Sequence, residues 1–339
     1  VILVVSHAED VHAPPVLEAL ARMGEEAVLL DLASLPRERA VSASYGRDPR
    51  GATFAGAGGT LRADEVRAVW WRRPRRYVAH PELAPEHAAY AVDQVHAAVS
   101  GVWASLGAAW MNDPWLDERA SHKPAQLAAA EAAGLLVPPT LVTSDPGDAR
   151  AFLEELGDRP VVNKPLKATE ATFKPTQLVG ERDRRRLDDL RYGPVILQGY
   201  VPGVDVRVTA VGGRIFAAAI DARATTSPHD FRQALASARV EPCELPREVS
   251  DGVRGLMRRL GLRYAAIDFR RDDEGRHFFL EANPAGQWLF VEARTGQPIT
   301  RAVAESLAEA GREVTTGDPG RQEGERSVHR EAGGAPWGR

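Results

Sequence analysis

Residues 264–283 read YAAIDFRRDDEGRHFFLEAN, and this stretch decides the fold. Tyr264–Arg270 and His277–Asn283 are rich in apolar and aromatic residues, and Asp272-Asp273-Glu274-Gly275 lies between them. Such a pattern predicts two paired strands joined by a short turn. Ile267, Phe269, Phe279 and Leu280 are apolar, and Asp268, Glu281 and Asn283 interrupt them. Residues two apart on a strand share a face, so Glu281 and Asn283 point the same way. The turn can bring Asp268, expected at the end of its strand, beside them. Two carboxylates and an amide oxygen form a hard-oxygen set suited to Mg²⁺ bridged to phosphates. An unpaired buried carboxylate is costly, which favours a metal there.

Upstream, Val204–Val211 and Arg214–Ile220 read as strands, with Gly212-Gly213 as their hairpin turn. The first of them carries Asp205 and Arg207. Before it, the strand Val195–Gln198 runs into the linker Gly199-Tyr200-Val201. The backbone of such a linker, from Gln198 to Val201, can meet a purine edge, and Asp205 could accept from ribose hydroxyls. Helices are expected over 246–260 and 299–310.

A central block precedes these elements. Its alanine-rich helix over 119–133 carries Lys123 and Gln126, and a strand is expected over Thr140–Thr143. Ser144-Asp145-Pro146 caps a helix over 147–156. Val161-Val162-Asn163-Lys164-Pro165 is a strand ending on lysine. Residues 168–181 fit a hairpin or a loop, and Arg182–Leu190 fits a solvated polar helix. The N-terminal block alternates Val1–Val5, a helix over 14–23, Ala27–Leu30, short strands and turns over 40–64, Val66–Trp71 and a helix over 82–105. Trp110-Met111-Asn112-Asp113-Pro114 then stops the pattern. The fold class is α/β at the N-terminus followed by two α+β blocks. The expected domains are 1–114, 115–193, 194–311 and a disordered tail over 312–339.

Composition closes several routes. The chain has 339 residues and a net charge of −4, which argues against nucleic acid as the main partner. Its one cysteine, Cys243, excludes an intramolecular disulfide and a cysteine-rich zinc site. No apolar run reaches membrane-spanning length, and the opening strand lacks a signal-peptide pattern, so a cytoplasmic location is expected. Of 43 basic residues only Lys123, Lys164, Lys167 and Lys174 are lysine. A compact ammonium differs from a planar guanidinium, so positions that retain lysine among so many arginines are candidates for phosphate contact.

Together these residues resemble the ATP-grasp superfamily, in which two α+β lobes hold ATP and Mg²⁺. The resemblance rests on Lys123, the Val161–Pro165 strand, the Gln198–Val201 linker, Asp205-Val206-Arg207-Val208, and Asp268 with Glu281-Ala282-Asn283-Pro284. It implies that Lys123 and Lys164 bind phosphates, Gln198, Gly199, Tyr200 and Val201 meet adenine, and Asp205 meets the ribose. By the same resemblance Asp268, Glu281 and Asn283 hold the metal, and Arg207 steadies the transferred phosphoryl group. A narrower resemblance, to the microviridin-type peptide ligases or graspetide synthetases, rests on five segments. They are Ser6-His7-Ala8-Glu9-Asp10, Val69-Trp70-Trp71-Arg72-Arg73-Pro74, Trp110–Pro114, Asp230-Phe231-Arg232 and Asn283-Pro284-Ala285-Gly286-Gln287-Trp288. It implies an N-terminal pre-ATP-grasp domain, a precursor peptide (leader and core) as substrate, and a homodimer. Lys164, Arg207 and Arg232 are then the catalytic candidates. Leu166-Lys167-Ala168-Thr169-Glu170 departs from the glycine-rich loop of many ATP-grasp enzymes, which leaves Lys167 and Lys174 as the expected cover. The implied alternatives are a small-carboxylate ligase similar to glutathione synthetase or the ribosomal-protein glutamate ligases, and an inactive ATP-grasp module that binds a partner.

Overall fold

The computed structural model describes residues 1–46, 51–167, 176–223, 235 and 237–316. It divides into two compact units. One comprises Val1–Ala13, Leu17–Trp110 and the chain from Ala304 onward, and the other Pro14–Val16 and Met111–Val303.

In the first unit, β1 (Ile2–Val5) is fully buried, as expected for an apolar run at the centre of a parallel sheet. The helix α1 (Ala13–Arg22) leads to β2 (Ala27–Leu30), which pairs parallel with β1. An antiparallel sheet is formed by β3 (Arg39–Ser44), β4 (Gly51–Gly56) and β5 (Gly59–Arg62). β6 (Ala68–Trp71) flanks β1 on its other side, and β7 (Ala109–Met111) completes the order β2-β1-β6-β7. The helix α2 (Pro85–Ser105) adds Val99 and Trp103 to the core with Leu3, Val5, Phe54 and Val69. Trp103 stacks on Phe54 at 5.2 Å, and Trp71 and Trp110 meet it edge-on at 6.3 and 6.0 Å.

Two of the quoted segments converge in this unit on a buried charge. Asp10 accepts from Ser6 Oγ at 2.8 Å and lies 3.3 Å from both Arg72 Nε and His12 Nδ1. All four side chains are buried. Burial alone would raise the Asp10 pKa, but the His12 hydrogen bond and the Arg72 charge outweigh it and hold the carboxyl below its usual range. Burial pulls the His12 imidazole down, against the pull of Asp10, so His12 is neutral at pH 7.

The second unit holds two antiparallel sheets. α3 (Pro114–Ser121) and α4 (Lys123–Ala132) lead to β8 (Thr140–Thr143) and α5 (Pro146–Leu156). β9 (Val161–Lys164), β10 (Gln177–Leu178), α6 (Glu181–Arg184) and β11 (Val195–Gly199) follow, and the strands order β10-β9-β11-β8. The second sheet runs β14 (Arg239–Pro242), β13 (Arg214–Asp221), β12 (Val204–Val211), β15 (Tyr264–Arg271) and β16 (His277–Asn283). Gly212 and Gly213 take φ of 53° and 81°, the sense a tight hairpin between β12 and β13 requires. One face of this sheet is apolar. Val206, Val208, Ile267, Phe269 and Phe279 pack there with Val253, Leu256 and Leu260 of α7 (Arg247–Leu260). The alternate residues of β12 and β15 face the other way, and those carry the charges.

Several expectations are corrected. The helix over 119–133 is two helices, because Pro124 lacks an N–H and suits a first turn, not an interior. His122 is extended between α3 and α4, with φ −80° and ψ 112°. Asp268 lies inside β15, which continues to Arg271, and not at its end. The polar helix over 182–190 shortens to α6 and a 3₁₀ segment over Leu187–Tyr192. α8 (Leu289–Thr295), β7 and β14 were not expected. The last helix, α9 (Ile299–Thr316), takes in 312–316 of the proposed tail, and 317–339 lie outside the described residues. Among the described residues no helix is long and apolar enough to cross a membrane.

Candidate active site

The site grows from a repeat hidden in the sequence. Asp205-Val206-Arg207 on β12 and Asp268-Phe269-Arg270 on β15 are both Asp-x-Arg, so in each the two charges share a face. The strands run antiparallel in a register that sets Asp205 opposite Arg270 and Arg207 opposite Asp268. The two segments therefore pair reciprocally. Arg207 Nη1 lies 3.0 Å from Asp268 Oδ1, and Arg270 Nη1 donates to Asp205 Oδ2 at 2.8 Å. All four are buried, which makes each partner costly to remove. The register carries on to β16, where Glu281 stands opposite Asp268.

Glu281 has a cation of its own. Lys123, at the start of α4, places Nζ 2.9 Å from Glu281 Oε2. Gln126, one turn later, explains why β16 holds this position. Its Nε2 donates to Ala282 O at 2.7 Å and its Oε1 accepts from Ala282 N–H at 2.9 Å. The grip falls on the residue between Glu281 and Asn283, two of the three expected metal ligands. Asn112 does the same for β15, accepting from Arg263 N–H at 2.9 Å and Tyr264 N–H at 3.0 Å and donating to Tyr264 O. Next to it Asp113 caps α3, accepting from Trp115 N–H at 2.9 Å and Leu116 N–H at 3.1 Å.

The linker is similarly fastened. Lys164 Nζ donates to Gln198 Oε1 at 2.7 Å, and Gln198 Nε2 donates to Thr140 Oγ1 at 2.9 Å. Gly199 N–H and Tyr200 N–H donate to Pro139 O and Pro160 O, each at 2.8 Å. Burial pushes the Tyr200 phenol above its ordinary pKa, so it remains a proton donor across the physiological range.

These groups line one cavity of about 600 Å³ within the second unit. Lys123, Lys164, Gln198, Gly199, Tyr200 and Val201 reach it, as do Asp205, Arg207, Asp268, Glu281 and Asn283. Lys167 is exposed at its mouth. Lys174 and Asp230-Phe231-Arg232 lie outside the described residues, and so does most of the expected 168–181 hairpin. The donor set fits Mg²⁺. Asp268 and Glu281 are cross-strand neighbours, and Asn283 lies two residues on along the Glu281 face. Asn283 Oδ1 accepts from Ala285 N–H at 2.9 Å, and its second lone pair can still serve a cation. Arg207 and Lys123 balance the carboxylates and suit an incoming polyphosphate.

Sequence reading missed Arg270 and gave Gln126 no role. The signal for Arg270 was present, since it stands to Asp268 as Arg207 stands to Asp205. Asp205, expected to meet the ribose, also accepts from Arg270 through Oδ2, a contact the sequence reading did not include. His7 bonds Glu9, His122 is exposed and His277 is buried, and none forms a nucleophile–base pair among the described residues.

The family described as the MvdD pre-ATP-grasp domain matches residues 1–119. Curated protein sequences gave no significant match. Among solved structures, the macrocyclase MdnC of Microcystis aeruginosa MRC, bound with precursor peptide MdnA, is similar at 27% identity. The match covers 91% of this chain and 99% of that one, with a TM-score of 0.79. The ATP-grasp ligase PsnB, complexed with minimal precursor, Mg and ADP, is similar at 27% identity over 91% and 97% of the two chains, with a TM-score of 0.74. A ribosomal-peptide-associated ATP-grasp ligase of Chryseobacterium gregarium shares the fold at 24% identity over 91% and 96%, with a TM-score of 0.82. In fold and in sequence the chain resembles the ATP-grasp ligases that mature ribosomal peptides, with a pre-ATP-grasp domain at its N-terminus.

Proposed function

We propose that this chain is an ADP-forming ligase that crosslinks a ribosomal precursor peptide to itself. A side-chain carboxylate of the peptide attacks the γ-phosphate of ATP, giving an acyl-phosphate and ADP. A hydroxyl or amine of the same peptide then displaces phosphate, forming an ester or amide. The observation that carries this reading is the single cavity in which two lysines, a fastened linker and the Arg207–Asp268–Glu281 row meet. A likeness to a peptide-bound macrocyclase over nine-tenths of the chain supports it.

Each residue has a task of binding or charge neutralisation, which is what phosphoryl transfer asks of a protein. Lys123 and Lys164 meet the phosphates, and Gln198 to Val201 meet the adenine. Arg207, held by Asp268 and stacked 5.7 Å from the Phe290 ring, faces the transferred group. Asp268, Glu281 and Asn283 would hold Mg²⁺, which neutralises phosphate charge when bound. Arg232, outside the described residues, stays a catalytic candidate by resemblance alone. The expected domain limits at 114 and 193 and the cytoplasmic location belong to the same proposal, as does the homodimer, which rests on the resemblance alone.

The test is ADP release by the purified chain with ATP, Mg²⁺ and either the precursor encoded beside it or free amino acids. Release that requires the peptide supports the reading. Saturable release with free amino acids and no need for peptide would favour a small-carboxylate ligase.

A further inference from the structure

Arg270 sits at a junction that the chemistry of the cavity does not explain. It is buried, and all three nitrogens of its fork are committed. Nη1 donates to Asp205 at 2.8 Å, Nε donates to Val201 O at 3.0 Å, and Nη2 donates to the Tyr200 hydroxyl at 2.7 Å. Its Cζ also lies 5.2 Å from the Tyr200 ring centroid. Two of these partners belong to the linker expected to meet the base, and the third is the carboxylate expected to meet the ribose. A planar guanidinium fixes three acceptors relative to one another, which an ammonium cannot do.

The same linker is held at a second point. Gly203 has φ 139°, and a Cβ there would fall 2.0 Å from Arg271 O. The chain from Tyr200 to Gly203 is thus fastened to β15 by the Arg270 side chain at one end and by backbone contact at the other. With Gly199 N–H and Tyr200 N–H spent on Pro139 and Pro160, the orientation of the Val201 peptide depends on Arg270.

Resting on the ligase reading above, we infer that Arg270 is a positioning residue that sets the linker for the purine, and that Asp205 acts by orienting Arg270 and not by binding the ribose. Val201 O accepts from Arg270 Nε with one lone pair, and its second lone pair suits the 6-amino group of adenine and not the 6-oxo group of guanine. Loss of Arg270 therefore weakens base recognition and leaves the phosphoryl chemistry at Arg207 largely intact.

The experiment measures nucleotide binding by calorimetry, and ADP release at varied ATP, GTP, 2′-deoxy-ATP and peptide. The chains are wild type, Arg270→Gln, Arg270→Lys, Tyr200→Phe and Asp205→Asn. Arg270→Gln is expected to raise the KM for ATP about tenfold, the worth of one charge-assisted hydrogen bond, and to narrow the ATP-over-GTP preference. The peptide KM and kcat stay within about threefold. Arg270→Lys does not rescue, and Tyr200→Phe, which keeps the Arg270–Asp205 pair, gives a smaller shift in the same direction. Asp205→Asn follows Arg270→Gln and keeps the wild-type ratio of ATP to 2′-deoxy-ATP. A collapse of that ratio in Asp205→Asn would return Asp205 to the ribose and overturn the inference. Equal nucleotide affinity in wild type, Tyr200→Phe and Arg270→Gln, or a fall in kcat with KM unmoved, overturns it as well. A wild-type chain that binds no adenine nucleotide overturns the ligase reading itself.

Discussion

Replacing Gln126 by alanine tests whether β16, which carries the proposed metal ligands Glu281 and Asn283, is held from behind. Gln126 is buried and makes three hydrogen bonds to backbone, to Ala120 O and Ala282 O at 2.7 Å each and from Ala282 N–H at 2.9 Å. Alanine leaves all three groups without that partner in a buried position. Each unsatisfied buried group costs ~1–3 kcal/mol, and the low end applies because water can enter part of the vacated volume, which gives ~3 kcal/mol in all. For a unit of this size a kcal/mol lowers the melting midpoint by ~2–4 °C, so Gln126→Ala should melt about 6–12 °C below wild type. Glu281 and Asn283 flank the released residue, so the Mg²⁺ concentration for half-maximal ADP release should rise in the same variant. Gln126→Glu keeps the acceptor for Ala282 N–H but turns an acceptor on two carbonyls, and it should be no better. Calorimetric melting and a Mg²⁺ titration read both effects. A midpoint within about 2 °C of wild type, with an unchanged Mg²⁺ requirement, would refute the reasoning, since it is smaller than the cost of one unsatisfied group.

Other outcomes follow from the same geometry. Arg207→Met strands the buried Asp268 carboxylate and should cost ~3–5 kcal/mol of stability, whereas Arg207→Lys should fold and lower kcat by about 100-fold, read by melting and by ADP release. Lys123→Met should raise the KM for ATP by about tenfold or more, and Lys123→Arg should not restore it, because the site asks for a point charge. The Asp10 carboxyl titrates below its unfolded value, so it stabilises the fold above the ordinary carboxylate range and that stability is lost as the pH falls through its folded value. The His12 imidazole is also lowered, so its contribution is present above about pH 6.5 and is lost on acidification. The melting midpoint should therefore fall from pH 7 to pH 4, and His12→Gln should flatten the upper part of that fall. A profile equally steep in that variant would contradict the buried neutral imidazole.

The elements legible in the sequence are those whose pattern is unambiguous. β12 is legible with its observed bounds because valines recur along it and a double glycine ends it. β15 and β16 were read because aromatic runs flank an acidic turn. The elements that were missed are short or depend on tertiary contact. β7 has three residues, and α8 is preceded by its N-cap Trp288, whose burial and bond to Thr300 no local pattern announces. The site was legible as a set of residue types, but its wiring was not. That Asp205 serves Arg270 and Arg207 serves Asp268 follows from strand register, which a one-residue slip would abolish. Lysine usage singles out Lys123, and only the fold shows that it opens α4 with Glu281 beside it.

Carboxylate activation and ring closure on the same peptide leave a signature in its mass. Mass spectrometry of the cognate precursor after incubation with the chain, ATP and Mg²⁺ tests the proposed function most directly. Each bond formed should remove one water from the precursor and release one ADP, and Glu281→Gln should yield neither product. An intact precursor mass under conditions where the chain turns over ATP on another carboxylate would contradict the proposed function.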